Sequence, residues 1–148
     1  MQSLAVGAIM IGLIFFWMMT VYEPSQRDQL QAEAVALNFV LYRNAVNRYA
    51  FEHKTEGSVP MAELALPLGL SSMPWQNQIV WEGDELRCYV FGPASTEVIT
   101  AVLRLLRGSA AVGWNNNGRM VRSGPEHALP GFIADRTIVS VIIVDGPL

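Results

Sequence analysis

Residues 4–22, LAVGAIMIGLIFFWMMTVY, form an unbroken run without a single charged side chain, and the run stops at Glu23–Pro24. About 20 apolar residues rising 1.5 Å each cross the ~30 Å hydrocarbon core of a bilayer, so this run is long enough to span. Leu4, Ile9, Leu13 and Phe16 then belong to the lipid-facing part of an anchor. Trp17 and Tyr22 suit the interfacial belt where amphipathic rings settle. All ten Lys and Arg and all thirteen Asp and Glu lie from Glu23 onward. A cleaved secretory signal would need a basic segment ahead of the apolar core, a core of about 7 to 15 residues and small residues at the cut. This chain has no Lys or Arg there, a longer core and no A-x-A before Pro24. Residues 1–23 therefore read as an uncleaved, single-pass transmembrane anchor. Arg27 is the first basic side chain after the run. The positive-inside rule thus barely orients the chain, and the bulk of it is expected outside the cytoplasm.

The 148 residues leave room for one compact domain beside the anchor. Charged residues make up 16% of the chain, against about 25% in an average soluble protein. Beyond Pro24 ten positive residues face twelve negative ones, which gives no basic surface for a nucleic-acid backbone. A single cysteine, Cys88, excludes an internal disulfide and any C-x-x-C site. Its place in the alternating stretch ELRCYVF predicts a buried, apolar role.

After Pro24 the pattern changes to that of an amphipathic helix over residues 24–57, with Ser25 as N-cap, Asp28 in the first turn and Gly57 as the stop. Leu30, Ala34, Leu37, Leu41, Ala45 and Tyr49 form one stripe, widened by Val35, Phe39, Val46 and Ala50. Core packing is the default for such a stripe. Its width also leaves a flank for a partner helix at Leu37, Leu41, Ala45 and Tyr49.

Residues 58–148 read as a small α+β domain packed with that helix. Pro60, Pro67 and Pro74 mark a connector holding at most a short turn around Ala62 to Leu66. QIVWEGDELRCYVF is a hairpin turned at Gly83–Asp84, with Leu86, Cys88 and Val90 on one face and Arg87, Tyr89 and Phe91 on the other. PASTEVITAVLRLLRG has Ser95 as cap, Glu97 in the first turn, Arg104 and Arg107 in the last and Gly108 as stop, so it is a helix. AAVGWNNNGRMVRS is a second hairpin turned at Asn117–Gly118. RTIVSVIIV is the continuous apolar run of a strand buried on both faces. The expected fold class is α+β: a transmembrane helix, then an αββαββ sandwich, ferredoxin-like or pilin-like, with an extra C-terminal strand. Both soluble helices should lie on one face of a mainly antiparallel sheet.

No constellation points to catalysis. His53 and His127 lack the spacing of a metal-binding pair, and no G-x-S-x-G or P-loop pattern is present. Glu82, Asp84 and Glu85 read as a polar hairpin tip rather than a cation site. GWNNNGR reads as a hairpin whose Trp114 packs, in preference to a sugar-binding loop. The sequence thus assigns no catalytic, cofactor-binding or metal residue, and the chain is expected not to be an enzyme.

In its order and texture the chain resembles the PilM family of type IVB thin-pilus systems on IncI-group conjugative plasmids. The likeness runs over the full length and is prompted by MQSLAVGAIMIGLIFFWMM, GWNNNGRMVRSG and ADRTIVSVIIV. It implies an accessory protein of pilus biogenesis in the bacterial inner membrane. Such a protein would have a periplasmic domain, other pilus assembly proteins as partners and no catalytic residues to carry over. The succession of anchor and αββαββ is also similar to the bitopic assembly-platform proteins of type II secretion and type IV pili, whose periplasmic ferredoxin-like domains pair, so homodimerisation is a further expectation. The alternative is a minor pilin or pseudopilin-like subunit built into the fibre, in which Pro24 marks a bend within one long helix. Ala5 stands where pilins usually carry a glutamate, which counts against a major pilin. A membrane-tethered cell-wall hydrolase using Glu126 or His127 is a third reading that no spacing supports. If Pro24 marks the exit from an anchor, Pro24→Ala leaves membrane insertion nearly unchanged. A large fall in the membrane-inserted fraction of that variant would count against this reading.

Overall fold

One helix, α1 (Gln2–His53), takes up the first third of the chain. The computed structural model describes residues 2–67, 74–122 and 127–146, with α1 side chains from residue 26 onward. Contacts divide the chain into two units, residues 1–32 and 33–148. The first consists of the N-terminal part of α1 alone. Where the sequence predicts an anchor followed by a second helix capped at Ser25, the structure has a single helix that continues through Pro24 and Ser25. A proline withdraws one i→i−4 hydrogen bond. Good helix formers follow it at Gln26, Arg27, Gln29 and Leu30 and sustain the helix beyond it. The helix also ends earlier than Gly57: Lys54 takes a left-handed conformation (φ 49°) directly after His53, its N–H bonded to Ala50 O.

The second unit is built on a six-stranded sheet. Its strands are β1 (Gln76–Glu82), β2 (Glu85–Pro93), β3 (Val112–Asn116), β4 (Arg119–Val121), β5 (His127–Ala128) and β6 (Thr137–Asp145). Their spatial order is β1-β2-β6-β3-β4-β5, with every neighbouring pair antiparallel. The two predicted hairpins are present. Gly83 turns the first with φ 64°, and Asn117 and Gly118 turn the second with φ 53° and 77°, angles that favour these residue types. The C-terminal strand is not an addition at the margin. β6 lies between β2 and β3, where Thr137, Ile138, Val139 and Ser140 are buried. These four positions are hydrogen-bonded within the sheet and covered on both faces, as the apolar run predicts, whereas Ile143 further along the strand is 54% exposed. α2 (Thr96–Leu105) connects β2 to β3. Both strands are antiparallel to β6, so they run parallel to each other with β6 inserted, a split β-α-β unit. As predicted, Ser95 caps α2, its Oγ accepting from Val98 N.

Register sorts the side chains onto two faces. Ile79, Cys88 and Ile142 align across three strands, as do Val90, Ser140 and Val112. This is the face that α1 covers. Ala36, Phe39, Tyr42, Val46 and Ala50 are buried, so the helix is seated about 100° or more around from the predicted stripe. A strict i+4 stripe drifts by about 40° per step on a 3.6-residue helix. Leu30, Ala34 and Leu37 consequently face solvent, while Phe39, Val46 and Ala50 make the core. Ser140 interrupts the apolar run of β6 because Arg43 Nε donates to its Oγ at 2.5 Å. Asn47 Oδ1 accepts from Cys88 Sγ at 3.7 Å.

The opposite face is closed by the segment between β5 and β6. Tyr89, Phe91, Val139 and Ile133 form a cluster, with Leu129 and Val141 packed against it. The Phe132 ring meets those of Tyr89 and Phe91 at 5.8 Å each. Buried Asn115 holds this segment: its Nδ2 donates to Ile133 O and Ala134 O, and its Oδ1 accepts from Gly118 N.

The connector before β1 contributes one 3-10 turn (Met61–Glu63) and a clamp on the sheet edge. Gly57 and Ile79 exchange backbone hydrogen bonds. Asn77 then accepts from Val59 N at 2.7 Å and donates to Val59 O at 3.0 Å and to Tyr42 Oη at 2.6 Å. Trp75 lies over Gly92, where an added Cβ would come within 2.5 Å of its ring. One buried amide thus ties α1, the connector and the edge strand together. Asn77→Ala leaves the N–H and C=O of Val59 without partners, and at roughly 1–3 kcal/mol for each orphaned buried group unfolding free energy should fall by about 3 kcal/mol in urea titration.

Candidate functional site

The outward side of α1 is where the sequence places a partner. Of the four predicted residues, Leu37 is 50% exposed, whereas Leu41, Ala45 and Tyr49 are half-buried. The same 40° drift explains the gradation, since each step of four carries the side chain round toward the sheet. Tyr49 is engaged within the chain, donating from Oη to Glu63 Oε2 at 2.5 Å and stacking on His53 with ring centroids 4.0 Å apart. Following the exposed side of the helix itself gives Ala34, Leu37, Asn44, Arg48 and Phe51, with half-buried Leu41 beside them. Phe51 is 52% exposed. The sequence reading missed Asn44, Arg48 and Phe51 because it followed an i+4 stripe; a repeat of seven would have found them.

A second grouping sits at the tip of the first hairpin. Glu82 and Glu85 face each other across the strands, a like-charged pair that is unfavourable without compensation. Arg87, with its side chain 19% exposed, supplies that compensation. Its Nε and Nη2 donate to Glu85 Oε2 at 2.9 and 2.6 Å, and its Nη1 donates to Glu82 Oε2 at 2.8 Å. The Glu85 contact, together with Tyr89 and Glu82, raises the guanidinium's pKa. Arg87 Nη1 also lies 2.9 Å from His127 Nε2. An arginine can only donate, so this nitrogen accepts. Tyr89 Oη donates to Glu82 Oε1 at 2.5 Å, and burial is the first cause of that phenol's raised pKa. Glu82 and Glu85 of the predicted acidic tip are therefore drawn into an ion-pair network, Asp84 is exposed at the turn, and His127 lies half-buried at the side of the network on β5.

Trp114, half-buried on β3, lines a groove of about 750 Å³ with Ile99, Leu103, Asn116 and Arg136. Among the described residues no group of three or more His, Cys, Asp or Glu side chains could hold a metal ion. Glu126 lies outside the described residues. The side chains of Leu4, Ile9, Leu13, Phe16, Trp17 and Tyr22 lie outside them too. Among the described residues no helix is long and apolar enough to cross a membrane.

A helix seated on one face of a six-stranded antiparallel sheet, with Leu37 and Phe51 exposed on its outward side, defines a small α+β domain. The family model of PilM matches residues 8–141, and the chain belongs to the PilM family. Its function is accordingly pilus-related. A crystal structure of the protein PilM from Escherichia coli B7A is similar, with 24% identity and a TM-score of 0.61. The match covers 78% of this chain and 94% of that one, and at this identity it speaks for the fold. No curated protein matches the chain.

Cys88 is fully buried, and burial pushes its thiol from an ordinary value near 9 up to about 12, the nearby Arg43 guanidinium acting in the opposite sense. Because the folded thiol holds its proton longer than the unfolded one, the contribution of Cys88 to stability is intact below pH 9. It declines as pH rises toward 12. Iodoacetamide at pH 8 should leave the native thiol unmodified and alkylate it promptly in urea. Rapid labelling of the folded chain would show that Cys88 is accessible.

Proposed function

We propose that this protein is a non-enzymatic accessory or scaffold protein of type IV, specifically type IVB, pilus biogenesis. The apolar run at residues 4–22 holds it in the bacterial inner membrane as a single-pass protein. Its folded domain, on the periplasmic side, works through protein–protein contacts with other pilus assembly proteins. Membership of the PilM family carries this reading. The charge-free run supports the anchor. The outward apolar side of α1 supports a contact role, since an exposed Leu37 and Phe51 gain nothing from solvent. The Glu82–Arg87–Glu85 network is, in this reading, structural.

One observation favours the alternative, a minor pilin or pseudopilin-like subunit. α1 runs without interruption through Pro24 and lays its C-terminal half on an antiparallel sheet. In a fibre subunit the apolar half of such a helix would pack among its neighbours.

Sheared pili and inner-membrane fractions from producing cells, probed for the full chain, separate the two. Recovery in the membrane fraction alone is the expected outcome. Recovery in the sheared fibres would overturn the scaffold reading and make the chain a fibre subunit.

A further inference from the structure

The outward side of α1 repeats every seven residues. Ala34, Leu41 and Arg48 occupy one set of positions, and Leu37, Asn44 and Phe51 occupy the other, with alternating steps of three and four. That is the spacing of a coiled-coil seam. It lies opposite the buried face made by Phe39, Val46 and Ala50. We propose that this seam pairs with a second copy of the chain, the two α1 helices running parallel and in register.

Charge favours that occupant. From Ala34 to Asn47 the helix carries one charged residue, Arg43, which lies off the seam, its Nε donating to Ser140 Oγ and its Nη1 to Asn44 Oδ1. Two copies therefore meet over almost four turns without opposing like charges. At the far end Arg48 is followed one turn later by Glu52, which offsets the approach of two guanidinium groups. Asn44 is the second argument. Its Oδ1 accepts from Arg43 Nη1 at 3.2 Å, while its Nδ2 has no partner among the described residues. An apolar helix covering this seam would strand that donor, at a cost. An in-register copy sets amide against amide, and a polar residue at one seam position is a known device for fixing register and oligomeric state. Leu37 and Leu41 supply the apolar layers beside it.

The orientation rests on the anchored reading above, because chains inserted in one bilayer present their seams in the same direction. Single cysteines placed at Leu37→Cys and Asn44→Cys in the full-length chain, oxidised in inner membranes of producing cells, test the pairing. The native Cys88 is buried and serves as background in every sample. Both variants should give at least about tenfold more disulfide-linked dimer than Leu105→Cys, an exposed site on α2, because only Cα atoms within about 7 Å close the bridge. Equal crosslinking at Leu105→Cys, or monomer throughout, would overturn the proposal. So would a mixed disulfide between co-produced Ala34→Cys and Phe51→Cys chains, since only head-to-tail helices bring those positions together. Leu37→Glu added to Asn44→Cys should abolish the dimer. Carbonate extraction of the same membranes reads the anchor separately: chains retained as monomers would leave the anchor standing and remove the pairing, while chains released as dimers would do the reverse.

Discussion

One face of the sheet is buried because the second half of α1 lies on it. Phe39, Tyr42, Val46 and Ala50 leave solvent together, and each large apolar side chain buried in this way stabilises the fold by roughly 1.5–3 kcal/mol. Polar contacts then determine where the helix sits. Arg43 reaches Ser140 on the central strand, Asn47 reaches Cys88 on β2, and Tyr42 reaches Asn77 on the edge strand. Sliding the helix by one turn would keep most of the apolar contact and strand all three. Hydrophobic burial supplies the stability, and the polar contacts specify one arrangement.

The same logic governs the other face, with a loop in place of a helix. Residues 129–136 close over Tyr89 and Phe91 because Asn115 satisfies the backbone carbonyls of Ile133 and Ala134. Without that amide the loop would carry buried polar groups with no partner. The placement of β6 also bears on folding. The strand that joins β2 to β3 follows both of them in the sequence. The sheet consequently cannot close until β6 joins β2 and β3, and its central pairings span long sequence separations, the property that slows folding.

The sequence shows its local structure well. The turns at Gly83–Asp84 and Asn117–Gly118 and the cap at Ser95 each follow from chemistry within a few residues and are found in the structure, as is the burial of TIVS, while Ile143 further along the same apolar run is exposed. The features that were not legible all depend on distant parts of the chain. Nothing in an apolar run says whether a strand lies at the margin or the centre of a sheet. The role of Ser140 becomes clear only with Arg43 above it, ninety-seven positions away. Arg87 belongs to the alternation of a strand, and its capture of two glutamates and approach to His127 depend on the hairpin register and on where β5 is laid. On the outward side of α1 the sequence pattern points to Leu37, which is exposed, and to Leu41, which is half-buried, while the drift of an i+4 stripe hides the seven-residue repeat beyond them.

A helix with apolar residues on opposite sides raises the question of which side is made for a partner. Here the sheet takes one side completely, so the residues that fix α1 to the domain are separate from those that face outward. Leu37, Asn44 and Phe51 can change without disturbing Phe39, Val46 or Ala50. The separation has a further consequence for affinity. Because packing and the Arg43, Tyr42 and Asn47 contacts already hold the helix in place, little backbone freedom remains to be lost when the outward side is covered. Preorganisation of that kind lets a short, modestly apolar surface bind more tightly than its area alone would allow.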